Sequence, residues 1–234
     1  DLPLSRGLGD VYKRQRQGSG GFKEIDDVAI AEPLTKYSVS ITDGERISEF
    51  VDRAYKMAIN GYPGAVHLSL PVDIMFSSFA EDSGRKERPF DRTAHLPARA
   101  WPEPARLGIL LEKLAAAERP VLIGGHGVWW SGAESYLEEA GRKLGIPVFN
   151  IPYHQKLLGE ECEAYMGLAD IHQYHPSKNA FAEADLVLMV GARLDNQMNF
   201  GNPPLFPENV ELFCINGSHE EVDFNRAADF TLLS

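Results

Sequence analysis

The sequence predicts an α/β protein built on a parallel sheet with helices on both faces. Three observations predict it. From residue 104 onward, apolar runs of strand length alternate with stretches of helical periodicity, the order that βαβ units produce. Those runs are apolar at consecutive positions, as strands buried on both faces are. The 234 residues are 44% hydrophobic and 24% charged, which suits one large domain or two small ones.

Composition excludes several classes. No apolar run nears the ~20 residues that span a bilayer. With 23 Lys and Arg against 34 Asp and Glu, the net charge is −11, which argues against a nucleic-acid binder. Cys162 and Cys214 are too few and too far apart for a disulfide scaffold, and no CxxC is present. They read as buried thiols of a cytoplasmic protein.

Residues 1–15 stand apart from the fold. Asp10 to Gln15 read DVYKRQ, which back-translates into a transposase adapter end used in sequencing libraries, so this tail is expected to be adapter-derived. Residues 16–75 form a first piece. Thr42-Asp43-Gly44-Glu45 fits a capping box, with Ile47, Phe50, Val51, Ala54 and Ala58 at helical spacing behind it. Gly61 and Pro63 end that helix, and Ala65 to Leu70 reads as a buried strand closed by Pro71. With one clear strand, the piece reads as the end of a larger α/β domain. Residues 76–103, charged and interrupted by Pro89, Pro97 and Pro102, read as a linker.

Residues 104–234 form the second piece. Leu107, Leu110, Leu111 and Leu114 mark a helix face, and Pro120 to Ile123 a strand ended by Gly124 and Gly125. Ser131 is placed to N-cap a helix with Ala133, Tyr136, Leu137, Ala140 and Leu144 on its apolar face and Gly145 at its end. Strands are expected over 148–151, 186–190, 210–215 and 230–233, with a helix over 176–183. The result is a Rossmann-like sheet, and ligands of such sheets bind beyond the carboxyl ends of the strands.

Candidate contacts lie at those ends. Gly125, His126 and Gly127 follow the first strand, where glycines let a phosphate approach backbone amides at a helix start. The turn is not a dinucleotide fingerprint, because Trp130 stands where the third glycine belongs and Asn150, not an acid, ends the next strand. Gly191, Arg193 and Asp195 follow the 186–190 strand. The guanidinium suits a pyrophosphate or carboxylate, and the aspartate a sugar or base. Asn216, at the end of the 210–215 strand, is a third candidate contact. A ligand-free tight turn and a plain surface Arg–Asp pair stay open on these residues alone. His154, His172 and His175 lack companions at metal-ligand spacing, so no metal site is expected there.

Seven stretches carry a resemblance. GGFKEID (20–26), EPLTKYS (32–38), GYPGAVHLSLPVDI (61–74), RPVLIGGHGVWWSGA (119–133), LGIPV (144–148), ADLVLMVGARLD (184–195) and FGNPPLFP (200–207) occur in an order and spacing that resemble thiamine-diphosphate enzymes of the acetolactate synthase large-subunit type. The resemblance implies that residues 16–75 are the C-terminal part of a pyrimidine-binding domain. It implies that residues 104–234 are the central, nucleotide-binding domain with a six-stranded parallel sheet. Thiamine diphosphate and Mg2+ are the implied cofactors of the full-length enzyme, with FAD or ADP in the central domain. Gly125, His126, Gly127, Gly191, Arg193, Asp195 and Asn216 fall at the nucleotide, the last where many relatives carry Asp. Phe22 and Lys23 fall on a Phe-Gln pair near the active centre, and Thr35, Lys36 and Ser38 on a Thr-Lys-x-Ser segment, making Phe22, Lys23 and Lys36 the catalytic candidates. Lys23 replaces an amide with a cation, which implies an anionic substrate or a different aldehyde acceptor.

The implied activity is decarboxylation of a small 2-keto acid and transfer to a carbonyl acceptor. The alternatives are a 2-hydroxyacyl-CoA or oxalyl-CoA lyase and a nonenzymatic nucleotide-binding module. The family's activating glutamate and its GDG…N metal motif have no counterpart in these 234 residues, so this chain alone is expected to be inactive. The full-length enzyme is expected to be a homodimer or homotetramer, with neither nucleic acid nor membrane as partner.

Overall fold

Val121-Leu122-Ile123, Leu186 to Val190 and Leu212-Phe213-Cys214 are apolar at every position because the sheet they build is covered on both faces. The computed structural model describes residues 25–76, 78, 100–152, 157–170, 172 and 176–234. The 1–15 tail, Phe22, Lys23 and most of the expected linker lie outside the described residues. The chain divides into two units between Ala98 and Arg99.

In the first unit, helix α1 (Asp27–Ala31) leads into strand β1 (Tyr37–Ser40), helix α2 (Ile47–Ile59), strand β2 (Val66–Ser69) and the short helix α3 (Val72–Met75). The two strands pair in parallel, Tyr37 with Val66 through Ser40 with Ser69. Strand β1 is an addition to the sequence expectation. Its two serines hide the pattern, and every residue of it is only half-buried. The capping box is also displaced. Asp43, not Thr42, caps a 3-10 turn over Gly44–Arg46 by accepting from the Glu45 amide at 3.0 Å, and α2 continues from that turn. Phe50 and Ala54 supply its buried face, while Val51 stays half-exposed.

The second unit carries helices α4 (Pro104–Ala116), α5 (His126–Ser131), α6 (Glu134–Leu144) and α7 (Pro176–Glu183). Its strands are β3 (Pro120–Gly124), β4 (Val148–Asn150), β5 (Tyr165–Leu168), β6 (Leu186–Val190), β7 (Glu211–Asn216) and β8 (Phe230–Leu233). They form one parallel sheet in the order β5-β4-β3-β6-β7-β8. The expected α/β fold class is therefore the observed one. Alternate residues serve opposite faces. Val121, Ile123, Val187, Met189, Leu212 and Cys214 pack with Phe149, Phe181 and Phe206 on one side. Leu122, Val148, Leu186, Leu188 and Phe213 pack with Leu110, Leu114 and Leu137 of the helices on the other. Each large side chain so buried contributes roughly 1.5–3 kcal/mol.

Three local expectations are corrected. Ser131 does not begin a helix. It ends α5, where its hydroxyl donates to the Gly127 and Val128 carbonyls at 2.7 and 3.0 Å. Gly132, at φ +65°, breaks the chain direction, and α6 starts at Glu134 without a side-chain cap. Strand β5 was not anticipated, since it is a half-buried edge strand with Gly167 at φ +111°. The helix faces are narrower than read. Leu110 and Leu114 are buried in α4, but Leu111 is more than half exposed, as are Tyr136 and Leu144 on α6. Gly145, at φ +65°, closes α6 as expected.

Phe181 stacks between Phe149 and Phe206, with ring centroids 4.7 and 5.1 Å away. Phe181→Ala is expected to cost about 3–5 kcal/mol in urea unfolding, because it removes a fully buried ring from the middle of the cluster. A loss below about 1 kcal/mol would show that the cluster collapses around the cavity. Burial, with a smaller push from Asp223, drives the Cys214 thiol up to about 12. Its stabilising contribution is complete below the ordinary thiol range and is lost as pH rises from about 9 toward 12. Melting curves across that window should fall less steeply for Cys214→Ala than for the unmodified chain.

Candidate functional site

Where β3 and β6 end, the chain makes two turns that touch backbone to backbone. The Gly125 amide donates to the Val190 carbonyl at 2.9 Å, and the Gly127 amide to the Gly191 carbonyl at 2.9 Å. A Cβ on Gly125 would stand 2.4 Å from the Gly191 oxygen, and one on Gly127 2.7 Å from the Gly191 Cα. Gly191 sits at φ +57°, and its own Cβ would lie 2.6 Å from Gly127 Cα and Val128 N. Glycine is required at all three positions by this contact. The sequence reading has these glycines clear space for a phosphate; the close approach of the two turns is a second, independent reason for glycine here. The second and third amides of α5 are already engaged, Gly127 as above and Val128 with the Gly125 carbonyl at 3.1 Å.

The side chains at this edge come from the loops that the turns position. Arg193 is half-exposed. Its Nη1 stands 3.4 Å from Glu221 Oε1, and its guanidinium carbon 5.0 Å from the centre of the Phe224 ring. Burial pushes the Glu221 carboxyl above the ordinary range, while Arg193 pulls it down and Glu220 pushes it up again. Asp195 turns inward on its own loop and caps it, accepting from the Gln197 and Met198 amides at 2.9 and 3.4 Å. Asn216, buried at the end of β7, donates from Nδ2 to the Ala192 carbonyl at 3.4 Å. His126 is the half-buried first residue of α5. Thus Gly125, His126, Gly127, Gly191, Arg193, Asp195 and Asn216 all lie at the carboxyl ends of β3, β6 and β7.

Asn150, at the end of β4, points inward. Its Nδ2 donates to the Leu158 carbonyl at 3.2 Å, and its Oδ1 has no partner among the described residues. Lys36 belongs to the first unit and is tied down there. Its Nζ donates to the Asn60 and Tyr62 carbonyls at 2.5 and 2.7 Å, clasping the turn after α2. Among the described residues no group of three or more His, Cys, Asp and Glu is placed to hold a metal ion, and His154 and His175 lie outside them.

Two residues that sequence reasoning missed shape the edge. Arg226 donates to four carbonyls, those of Gly201, Pro207, Glu208 and Val210, at 2.8 to 3.4 Å. Asn225 Nδ2 donates to the Leu194 carbonyl at 2.6 Å. Together they brace the 195–210 loop, whose tip runs through Asn199, Phe200 and Gly201 at φ 50°, 55° and 78°. Two successive non-glycine residues in that region cost energy that the bracing offsets. The only sequence signal for this was an Asn-Arg pair in the connection before the last strand.

A parallel α/β domain with polar side chains on its carboxyl edge is the class that fold and site define. The family description "Thiamine pyrophosphate enzyme, central domain" matches residues 107–234, more than half of the chain. The chain belongs to the thiamine pyrophosphate enzyme family. It is 29% identical over 220 residues to the acetolactate synthase large subunit of Lactococcus lactis subsp. lactis, covering 93% of this chain and 37% of that protein. It is 26% identical over 222 residues to 2-hydroxyacyl-CoA lyase of Arabidopsis thaliana, covering 89% of this chain and 36% of the relative. In fold it is similar to a candidate thiamin diphosphate-dependent enzyme from Mycobacterium smegmatis, with a TM-score of 0.72 and 23% identity over 94% of this chain and 41% of that one. The chain spans little more than a third of the length of the curated relatives it matches.

The turn contact can be tested with a paired substitution. Gly191 and Gly132 both have φ near +60°, but only Gly191 faces backbone; Gly132 faces open space. Gly132→Ala is expected to cost about 1–2 kcal/mol, the left-handed penalty alone. Gly191→Ala should cost clearly more in the same urea titration, and equal losses would mean the turns are not locked.

Proposed function

We propose that this chain is part of a thiamine-diphosphate enzyme that decarboxylates a 2-keto acid and transfers the product to a carbonyl acceptor, as an acetolactate synthase does. The similarity to an acetolactate synthase large subunit across 93% of the chain carries the reading. A lyase acting on a 2-hydroxyacyl-CoA is the second reading, favoured by a relative of nearly equal identity and coverage. The nonenzymatic alternative has no such support.

In this reading residues 104–234 bind FAD or ADP at the edge that bears Arg193. The groups present fit such a ligand through side chains rather than through glycine amides, since the Gly127 amide is engaged by Gly191. The half-exposed Arg193 guanidinium is the natural partner of a diphosphate. Asn216 holds β7 against the segment that carries Arg193, and Asp195 sets the loop beside it. Thiamine diphosphate, when bound with Mg2+, supplies an electron sink for cleavage beside a carbonyl. Phe22 and Lys23, assigned to that centre by the resemblance, lie outside the described residues, and Lys36 is committed to two carbonyls. The full-length protein is read as a cytoplasmic homodimer or homotetramer acting on small molecules. No helix among the described residues is long and apolar enough to cross a membrane.

Calorimetric titration of the folded chain with FAD, ADP and CoA tests the reading. FAD or ADP at 100 times its Kd is expected to stabilise the protein by about 2.7 kcal/mol, visible as a rise in Tm. Tighter binding of CoA than of FAD would move the assignment to the lyase. Absence of heat and of any shift in a cooperatively melting protein would remove the nucleotide site.

A further inference from the structure

Among the described residues Arg193 is not held by a close ion pair. Its one hydrogen bond there, to Glu221 at 3.4 Å, is well beyond the roughly 2.7–2.9 Å of a strong charge-assisted bond, and it engages one of five N–H donors. The two partners are also unequally placed. The Arg193 side chain is 41% exposed and the Glu221 side chain 11%. The cation is the more exposed partner and the anion the more buried one, and the guanidinium carbon lies 5.0 Å from the centre of the Phe224 ring.

We propose that Glu221 is a built-in stand-in for the ligand's anionic group: its carboxylate holds Arg193 until a diphosphate takes the guanidinium in its place. This rests on the reading of the Arg193 edge as a nucleotide site, and it adds a rule of selectivity to that reading. A long, single hydrogen bond is easily exchanged for the bidentate contact that phosphate oxygens offer. The exchange leaves the more buried Glu221 without its guanidinium partner, beside the negative charge of Glu220. That site already disfavours the charged carboxylate through burial. Every ligand must therefore give up the same Arg193–Glu221 contact. A singly charged carboxylate gains too little from Arg193 to offset that loss, whereas a diphosphate, although Glu221 repels its larger charge more strongly, offsets it through several acceptors on one guanidinium. Glu221 thus lowers the affinity for all anions and restricts the edge to multiply charged ones.

Four proteins titrated with ADP test the proposal: the unmodified chain, Glu221→Gln, Arg193→Gln and the double variant. Glu221→Gln preserves shape and removes charge, and is expected to bind ADP about tenfold more tightly. Arg193→Gln should bind at least tenfold more weakly. The double variant should gain nothing over Arg193→Gln, because the effect of Glu221 passes through the guanidinium. Unchanged or weaker binding in Glu221→Gln would overturn the proposal, since Glu221 would then be orienting Arg193. An equal gain in the double variant would also overturn it, as the effect would be general repulsion. If Glu221→Gln fails to melt cooperatively, the carboxyl 13C resonance of Glu221 in the unmodified chain decides. Loss of its guanidinium partner predicts that this resonance moves when ADP binds, and an unmoved resonance in the ADP-bound protein overturns the proposal. Heat from neither the unmodified chain nor Glu221→Gln would defeat the nucleotide reading itself. ADP binding that Glu221→Gln leaves unaltered would defeat this inference alone.

Discussion

Two hydrogen bonds and three missing side chains hold the carboxyl edge of the central sheet together. The Gly125 and Gly127 amides reach the carbonyls of Val190 and Gly191, and no residue larger than glycine fits between those backbones. The contact fixes where α5 begins and how the chain leaves β6. Everything polar at the edge inherits its place from that geometry. Arg193 and Asp195 stand two and four residues beyond Gly191, on a segment that Asn216 also ties to β7. A small displacement of the turns would therefore move every candidate ligand contact together.

The loop beyond Arg193 depends on the same economy of donors. Asp195 caps its first turn, and Arg226 gathers four carbonyls of the segment from Gly201 to Val210. A guanidinium can do this because its donors fan out in one plane, and an ammonium cannot. The loop tip then stays in a backbone conformation that Asn199 and Phe200 disfavour. Arg193, in contrast, is left loosely held and half-exposed, with its counter-charge more deeply buried. Rigid loops around one loosely paired cation make an edge that is shaped for a ligand without being closed to it.

The boundaries of β6, α7 and β8 agree with the sequence reading because each is a run whose apolar pattern and flanking residues speak for themselves. The readings that failed depend on neighbours. Strands β1 and β5 carry Ser, Gly and Met at half-buried positions, so pairing rather than pattern makes them strands. Ser131 has the chemistry of a cap, yet Gly132 turns the chain one residue too late for it to act as one. The site divides in the same way. The glycines, Arg193 and Asn216 were legible as residues at strand ends. Glu221 and Arg226 were not, because their partners lie 28 residues away in one case and 16 to 25 in the other.

The amino-acid sequence alone determined the α/β class, the parallel sheet and the edge on which polar side chains collect. Hydrophobic periodicity and strand-terminal glycines are local signals, so they survive without coordinates. Tertiary structure decided what those glycines do, which charge Arg193 faces and which carbonyls brace the loop. These are contacts between segments distant in the chain, set by the order in which strands sit side by side, and no window of sequence contains both partners. The order β3-β6-β7 brings three distant turns to one edge, and that adjacency turns separate motifs into a site.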